Sequence, residues 1–590
     1  MKKRSRGVRY SALLAILLVS GIALGSSSIT HSGTPSFNAG LTRAVGEGFT
    51  DNAILRLGST TLCDSFDPGQ SYDSWCGVVV RMYSRNLLSF AGQPGANGRK
   101  LLPDLARTMP KVSKDKTVWT FHLRRDVLWN DNKLVTSADI RHTVERLYDP
   151  DAFGAVSMDT LCLLSACSKG LPDYRGPYQS GHLTSIDTPD DYTIIFHLTR
   201  EYAPFAQILA LPQLGSVERA VDLKDHKSGN PYSDHPSSNG PFTLTLSEDR
   251  SSVRLDKNVY WKQSTDPVRF PHVTSMSWMT FETSDALDQE LLNGNIDVRL
   301  DNGLNKIARD KVLNDPELIK NVDQVDTGVV DYLALVDSAI PLNRKACREA
   351  IFYALNKSDL AKLRGGNDVA LVTGTMVSAV LDGANIKPNP YSVTELGNGD
   401  LAKARKKLVE CGYPDGFEIR MAYVTLGLGE QLYESVQRSL SRVGIVVDPV
   451  SASNFTDYFA SGVGSPDNVT SSHIALIPNS WSPEGMDPVS FWAPIVDSRK
   501  IKPRSNVNYA QLTNDDVNGL LDKLRLGQVK AKKANGAIDA AVMDTAQYLP
   551  YARERQVLYR SPVLSNVYVQ RALGGQYDVV NMGIAGPAPQ

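Results

Sequence analysis

The stretch from Leu102 to Leu147 constrains the fold of this 590-residue chain more than any other. In order it reads as a short strand, a charged turn, a stiff strand, a second turn and a capped helix. Along the stiff strand, Val118, Thr120 and His122 alternate with Trp119, Phe121 and Leu123, the two-residue period of an extended chain. Asn130-Asp131-Asn132 predicts the second turn, because Asn and Asp tolerate left-handed backbone and bond their own main chain. Thr136 followed by Asp139 has the spacing of a capping box, opening a helix with Ile140, Val144 and Leu147 on one face. Asp149-Pro150 ends that helix. No nucleophile in the stretch stands beside a base, so it predicts scaffold rather than chemistry.

Single cores stop growing at about 250–300 residues, so a chain of this length needs two or more folded units. A formal charge of −1 leaves no basic footprint for nucleic acid. Lys2, Lys3, Arg4, Arg6 and Arg9 precede an apolar run from Ser11 to Leu24 that is too short to span a bilayer comfortably. With small residues at Ala23 and Gly25, residues 1–25 read as a secretory signal peptide, the alternative being an uncleaved anchor. Its removal takes the formal charge from −1 to −6. Residues 26–50, rich in Ser, Gly and Thr, read as a flexible linker. The mature chain is therefore expected outside the cytoplasm, where disulfides form. Cys63 with Cys76, and Cys162 with Cys167, are close enough in sequence to bridge, whereas Cys347 and Cys411 sit in predicted helices and can be buried thiols. No Cys-x-x-Cys or His-Glu-x-x-His spacing occurs, so neither metal nor cofactor is expected.

Residues 190–300 read mostly as strands, with Tyr192–Leu198 and Val253–Leu255 the clearest and Asn239-Gly240-Pro241 a tight turn between them. A helix over Ala286–Leu292 stops at Asn293-Gly294 before a strand Ile296–Leu300. Helix-then-strand units follow. Ala346, Ala350 and Ile351 line one helix, and Leu401, Ala404 and Leu408 a second that Gly412 closes. A third carries Leu432, Val436 and Leu440 and turns at Gly444 into strand Ile445–Val447. Such alternation predicts a mixed α/β protein with sheets covered by helices, in two lobes.

These segments resemble one family, in order along nearly the whole mature chain. The matching runs are Asp64-Ser65-Phe66-Asp67-Pro68, Arg85-Asn86-Leu87-Leu88, Pro103-Asp104-Leu105-Ala106, Trp119 to Arg124, Thr136-Ser137-Ala138-Asp139 and Asn239-Gly240-Pro241-Phe242. Beyond them come Tyr260-Trp261, Asn293 to Asp297, Arg344 to Asn356, Ala404 to Gly416 and Val443-Gly444-Ile445. The chain resembles the family 5 solute receptors of ABC transporters, the oligopeptide-, dipeptide- and nickel-binding class. The resemblance implies a bilobal, periplasmic-binding-protein-like fold: two mixed α/β lobes joined by a two-segment hinge, with crossovers near Leu300 and Arg555. It also implies an accessory domain at 92–188. The first lobe would comprise 51–91, 189–300 and 556–590, and the second 301–555. Hinge closure around the ligand would be the working cycle.

In peptide-binding relatives an acid just after a Trp in a second-lobe loop pairs with the ligand's α-amino group. The corresponding run is Trp481-Ser482-Pro483-Glu484-Gly485-Met486-Asp487-Pro488, in which Glu484 takes the acid's place and Asp487 competes with it. An enclosed ammonium needs a charged, hydrogen-bonding partner; a solvated loop acid is the alternative reading. The other wall in relatives is a strand that pairs with the peptide main chain, which maps here onto Tyr72, Asp73 and Ser74. Trp481, Trp492 and Tyr458 can line the pocket or belong to the core. His122 and His142 read as structural residues. Ser113-Lys114-Asp115-Lys116 has the Ser-x-x-Lys spacing of serine acylases but falls in a charged turn, and no Gly-x-Ser-x-Gly elbow occurs, so no enzyme is expected. The expected partners are an oligopeptide ligand and an ABC permease, bound by a monomer. Alternatives are an oligosaccharide or metal chelate as ligand, or a sensor without transport. Ser26 stands where relatives carry a lipid-modified Cys, so lipidation is not expected.

Overall fold

The computed structural model describes residues 30, 31, 34, 35, 39, 48–71, 73, 75–149, 157–168, 171–229, 231–381, 391 and 397–586. The expected signal peptide and most of the expected linker lie outside the described residues. Three sheets organise the rest. The first runs Phe242–Leu246, Ser252–Lys257, Ser275–Thr280, Ile54–Ser59, Val298–Arg299 across its width, antiparallel at one side and parallel at the other. The second has six strands in the order Ala370–Val372, Tyr548–Tyr559, Val322–Leu335, Ile474–Trp481, Glu418–Val424, Val446–Ala452. The third is a four-stranded antiparallel sheet of Ile186–Asp190, Thr193–His197, Val118–His122 and Lys111–Val112. The protein is thus a mixed α/β fold.

The opening stretch forms as its pattern predicts. Trp119 and Phe121 are buried on one face of Val118–His122 while His122 is exposed on the other. Asn132 takes the left-handed backbone of the turn (φ 72°). Asp139 accepts from the Thr136 backbone N–H (2.8 Å) and hydroxyl (2.9 Å), opening the helix Ser137–Glu145. Ser113 donates to Asp115 in an exposed turn, so its spacing with Lys116 is structural.

Two long strands link the sheets. Val322–Leu335 and Tyr548–Tyr559 pair antiparallel, with register irregularities between Asp326 and Val330 and between Asp331 and Tyr332. Val325 and Leu558 pack in the core of the first sheet; Leu333 and Leu549, further along the same strands, pack in the core of the second. The two cores are therefore stitched by a pair of strands, not by loops.

The family-like motifs are buried polar connections. Asp104 accepts from Arg85 Nε (2.7 Å) and Arg269 Nη1 (2.8 Å), and Asp266 lies 3.1 Å from Arg269, all four side chains being at most 1% exposed. Asp67 takes both nitrogens of Arg146 (2.6 and 2.5 Å), which also reaches Asp222 (2.8 Å). His142 bonds Asp222 (2.6 Å) in the same network, a structural role. Asn239-Gly240 is not a simple surface turn. Asn239 accepts from Arg85 N–H and donates to Ser216, and a Cβ on Gly240 would meet the Tyr83 carbonyl carbon at 2.8 Å.

All six cysteines are paired: Cys63–Cys76, Cys162–Cys167 and Cys347–Cys411. The third decides the reading left open for Cys347 and Cys411, which are bridged and not buried thiols. Cys347 lies in the helix Lys345–Ala354 and Cys411 caps the packed neighbouring helix Leu401–Glu410, which places their Cα atoms 5.3 Å apart. Among the described residues no helix is long and apolar enough to cross a membrane.

Candidate functional site

The strand Ile474–Trp481 is paired to its end, with Trp481 opposite Val330. The loop that follows is held at both sides. Trp481, half-buried, donates its indole N–H to the Phe491 carbonyl (2.9 Å). Asp487 caps the helix Pro488–Val496 by accepting from Ser490 N–H (3.0 Å), and Pro488 occupies the first helical position, where no backbone donor is needed. Between these anchors Ser482 and Glu484 are exposed and Pro483 is half-buried. The Asp487 carboxylate is thus engaged in building the loop, whereas Glu484 is presented by it.

Glu484 faces a cleft. Its near wall is Glu484, Gly485, Asp487 and Ser490; its far wall, from residues 157–211, includes Asp159, Arg200, Tyr202 and Leu211. A Cβ on Gly485 would lie 3.4 Å from Leu211 Cδ2, so the walls touch there. Further links tie the same two regions: Ala203 N–H donates to the Arg525 carbonyl (2.7 Å), Lys116 to the Leu526 carbonyl, and Lys500 pairs with Asp159. Arg525 is itself balanced by Asp497 (2.7 Å) and Asp522 (3.0 Å).

The electrostatics single out Glu484. Its surface reaches solvent in the cleft, yet protein surrounds it on most sides, and this enclosure pushes its carboxyl up to about 7. Asp487 and Asp159 add to the rise, and a hydrogen bond from Ser157 opposes it. Burial also raises the Asp487 carboxyl, against the pull of its cap hydrogen bonds. An acid poised in this way favours a positively charged or proton-donating guest.

Tyr72 and Ser74 lie outside the described residues. Asp73 is exposed and does not belong to a strand, which corrects that part of the expectation: its carbonyl accepts from Cys76 N–H (3.0 Å) in the turn before helix Cys76–Tyr83. Proximity to the cleft comes through Ser71, whose carbonyl accepts from Gln213 (3.2 Å), two residues beyond Leu211. Burial, then repulsion from Asp64, raises the Asp73 carboxyl. Trp492 is fully buried and donates to Asn535 (2.8 Å), a core residue. Tyr458 lines a different cavity from the Glu484 cleft, beside the end of the Trp481 strand.

Sequence reasoning missed Arg364. It bonds Ser480 (3.1 Å) and Tyr551 (3.1 Å) and pairs with Asp331 (3.0 Å) and Glu554 (3.3 Å). Burial, then Asp331, raises Glu554 to about 7 against the pull of Arg364. Arg364 stands alone in a helix-end loop in the sequence, with Asp331 33 residues before it and its other partners more than 100 residues away, so no local spacing marks it.

Residues 100–503 match the family described as "Bacterial extracellular solute-binding proteins, family 5 Middle". The chain is 30% identical to the solved structure titled "Clavulanic acid biosynthesis oligopeptide binding protein 2", with a TM-score of 0.82 over 92% of this chain and 99% of that one. It is similar to the glutathione-binding protein GsiB of Salmonella choleraesuis (strain SC-B67), 22% identical over 67% of this chain and 68% of the relative. The ABC transporter-associated periplasmic binding protein DppA of Helicobacter pylori, solved in complex with the peptide STSA, shares the fold at 21% identity, with a TM-score of 0.63 over 90% of this chain and 98% of that one. The chain belongs to the family 5 bacterial extracellular solute-binding proteins, and it is a binding protein, not an enzyme.

Proposed function

We propose that this protein is the extracytoplasmic receptor of an ABC importer, that it captures oligopeptides in the cleft, and that Glu484 receives the ligand's α-ammonium group. The observation that carries the reading is the Glu484 carboxyl. It lines the cleft beside Asp487 and Asp159, whose charges push it up, and is relieved only by the Ser157 hydroxyl. An ammonium group entering there replaces a proton with a fixed positive charge and removes the repulsion. Trp481, Ser482 and Pro483 present the acid, and Asp487 holds the loop that carries it. The names of relatives support a peptide-like guest: one binds glutathione, one is an oligopeptide binding protein, and one was solved with STSA.

The lobes open and close about the paired strands near Asp326–Val330 and Arg553–Arg555, where the register is irregular. Residues 1–25 direct export and are then removed, which accords with three disulfides. The mature monomer then passes its cargo to a permease. Mass spectrometry of small molecules released from natively purified protein tests the ligand class. Peptides are the expected species; a sugar or a metal chelate as the sole cargo overturns the proposal.

A further inference from the structure

We propose that Arg200 is a carboxylate-binding subsite of this receptor, so that the cleft selects a zwitterion: Glu484 holds the ammonium group of the captured peptide and Arg200 a carboxylate. The inference rests on the peptide reading above and deepens it. Both residues line one and the same cleft, Glu484 on the near wall and Arg200 on the far wall.

The other charges at the cleft are already engaged. Arg525 is held by Asp497 and Asp522, and Lys500 by Asp159. Asp159 has that lysine, and Asp487 caps a helix. The Ser157 and Thr160 hydroxyls share a hydrogen bond (3.1 Å), and the Ser490 hydroxyl donates to the Asp487 carbonyl (2.8 Å). Gln207 and the Tyr202 phenol are neutral, so neither sets the sign of a guest's charge. Glu484 and Arg200 remain, and they are of opposite sign. Arg200 is exposed, and its guanidinium makes no ion pair or hydrogen bond among the described residues.

The chain on either side of Arg200 is pinned. Thr199 donates its N–H to the Leu163 carbonyl (2.7 Å) and its hydroxyl to the carbonyl of Cys162 (2.7 Å), which is itself bridged to Cys167. Glu201 pairs with Lys116 (3.0 Å), and Ala203 N–H donates to the Arg525 carbonyl (2.7 Å). A fixed backbone lowers the entropy lost when a long side chain settles on a ligand. Arginine suits the task, because its planar fork offers a carboxylate two parallel N–H donors.

Tyr202 reports the polarity of the cleft. Burial pushes its phenol up; Asp487 and Asp159 add to the rise, and Arg525 and Arg200 oppose it. The charges that act on the Glu484 carboxyl are those of Asp487 and Asp159. The cleft thus has an acidic pole at Glu484 and a basic one at Arg200, with Tyr202 in the field of both. A guest carrying one charge satisfies one pole, whereas a zwitterion satisfies both. The carboxylate is the peptide's C-terminus or an acidic side chain; its chemistry at Arg200 is the same.

Calorimetry with di-, tri- and tetra-alanine, each as the free acid and as the C-terminal amide, tests this, with the amino end free throughout. A third set carries Glu as the last residue of the amide. For a C-terminal carboxylate, the acid should bind about tenfold tighter than the amide at one length or more, as for a charge-assisted hydrogen bond. For a side-chain carboxylate, the Glu amide should hold that advantage over the plain amide instead. Arg200→Gln should remove either preference and Arg200→Lys keep part of it. Both variants should melt with the wild type, since the exposed side chain holds nothing in the fold. If acid, amide and Glu amide bind within twofold at every length, or if the preference survives Arg200→Gln, the subsite assignment is wrong while the peptide reading stands. If none of the peptides binds, the peptide reading falls and takes the subsite with it.

Discussion

Replacing Asp104 by Asn removes one negative charge from the quartet Arg85, Asp104, Arg269 and Asp266 and leaves its shape nearly unchanged. In the native protein two arginines and two aspartates balance, with the Arg85, Asp104 and Asp266 side chains at 0% exposure and Arg269 at 1%. Asp104→Asn strands one guanidinium charge, and the new amide points N–H groups at an arginine that also donates. Breaking a buried pair by removing one partner costs about 3–5 kcal/mol. For a unit of 150–250 residues that is a fall in midpoint of roughly 6–20 °C. Thermal unfolding followed by circular dichroism and tryptophan fluorescence reads it, with Asp256→Asn at the exposed Arg254 pair as a control that should not move. The pH dependence has a sign. Burial pushes the Asp266 carboxyl up, but Arg85 and Arg269 outweigh it and hold it well below the usual carboxylate range. Such a group stabilises the fold above its unfolded pKa of about 4 and loses that contribution as pH falls toward its folded value. The deficit of an Asp266→Asn variant should thus be constant from pH 8 to about 5 and shrink below about 4. For Asp104→Asn, a loss under about 1 kcal/mol at neutral pH would refute the argument that charge balance in this buried quartet stabilises the fold.

Three further predictions are independent of that one. In the empty protein the raised Glu484 carboxyl penalises folding once it ionises, so the penalty is absent below about 4.5 and complete above about 7. Glu484→Gln should flatten the stability profile across that window; a profile unchanged from wild type would show that the acid is ordinarily solvated. Removing the 64-residue Cys347–Cys411 link by changing both to Ala should cost about 4 kcal/mol, against about half that for Cys162–Cys167, which spans 5 residues. Denaturant titration of the two variants would contradict this if their losses were equal. Gly240→Ala places a methyl against the backbone of Met82 and Tyr83, 2.8–2.9 Å away, which cannot yield as a side chain would. A loss of about 1–3 kcal/mol is expected in the same titration, and a neutral result would show that the interlock has slack.

The opening stretch was legible because its information is local. Alternation at Trp119 and Phe121, the turn at Asn132 and the cap at Thr136 and Asp139 each lie within a few residues, and each formed as read. The long-range contacts were opaque. Nothing in the spacing of Arg85, Asp104 and Arg269 shows that they meet, and a resemblance could mark their motifs without giving the reason, which is a shared buried charge balance. Cys347 and Cys411 illustrate the same limit, since helix periodicity places each on an apolar face but cannot say that the two helices are neighbours. At the site the sequence left Asp487 and Glu484 in competition, and it is the structure that separates them, because Asp487 caps the helix Pro488–Val496. Arg200 gave no sign, because a lone arginine reads as solvated surface until the fold sets it on the wall of the cleft.

The central claim, that Glu484 anchors a ligand ammonium in the cleft, is tested most directly by calorimetry of one peptide with a free and with an acetylated N-terminus, repeated on Glu484→Gln. Wild type should bind the free form at least about tenfold more tightly, as expected for a charge-assisted contact of about 1.5–3 kcal/mol. Glu484→Gln should erase most of that preference. Equal affinity for both forms on the wild-type protein, or an undiminished preference on the variant, would contradict the account.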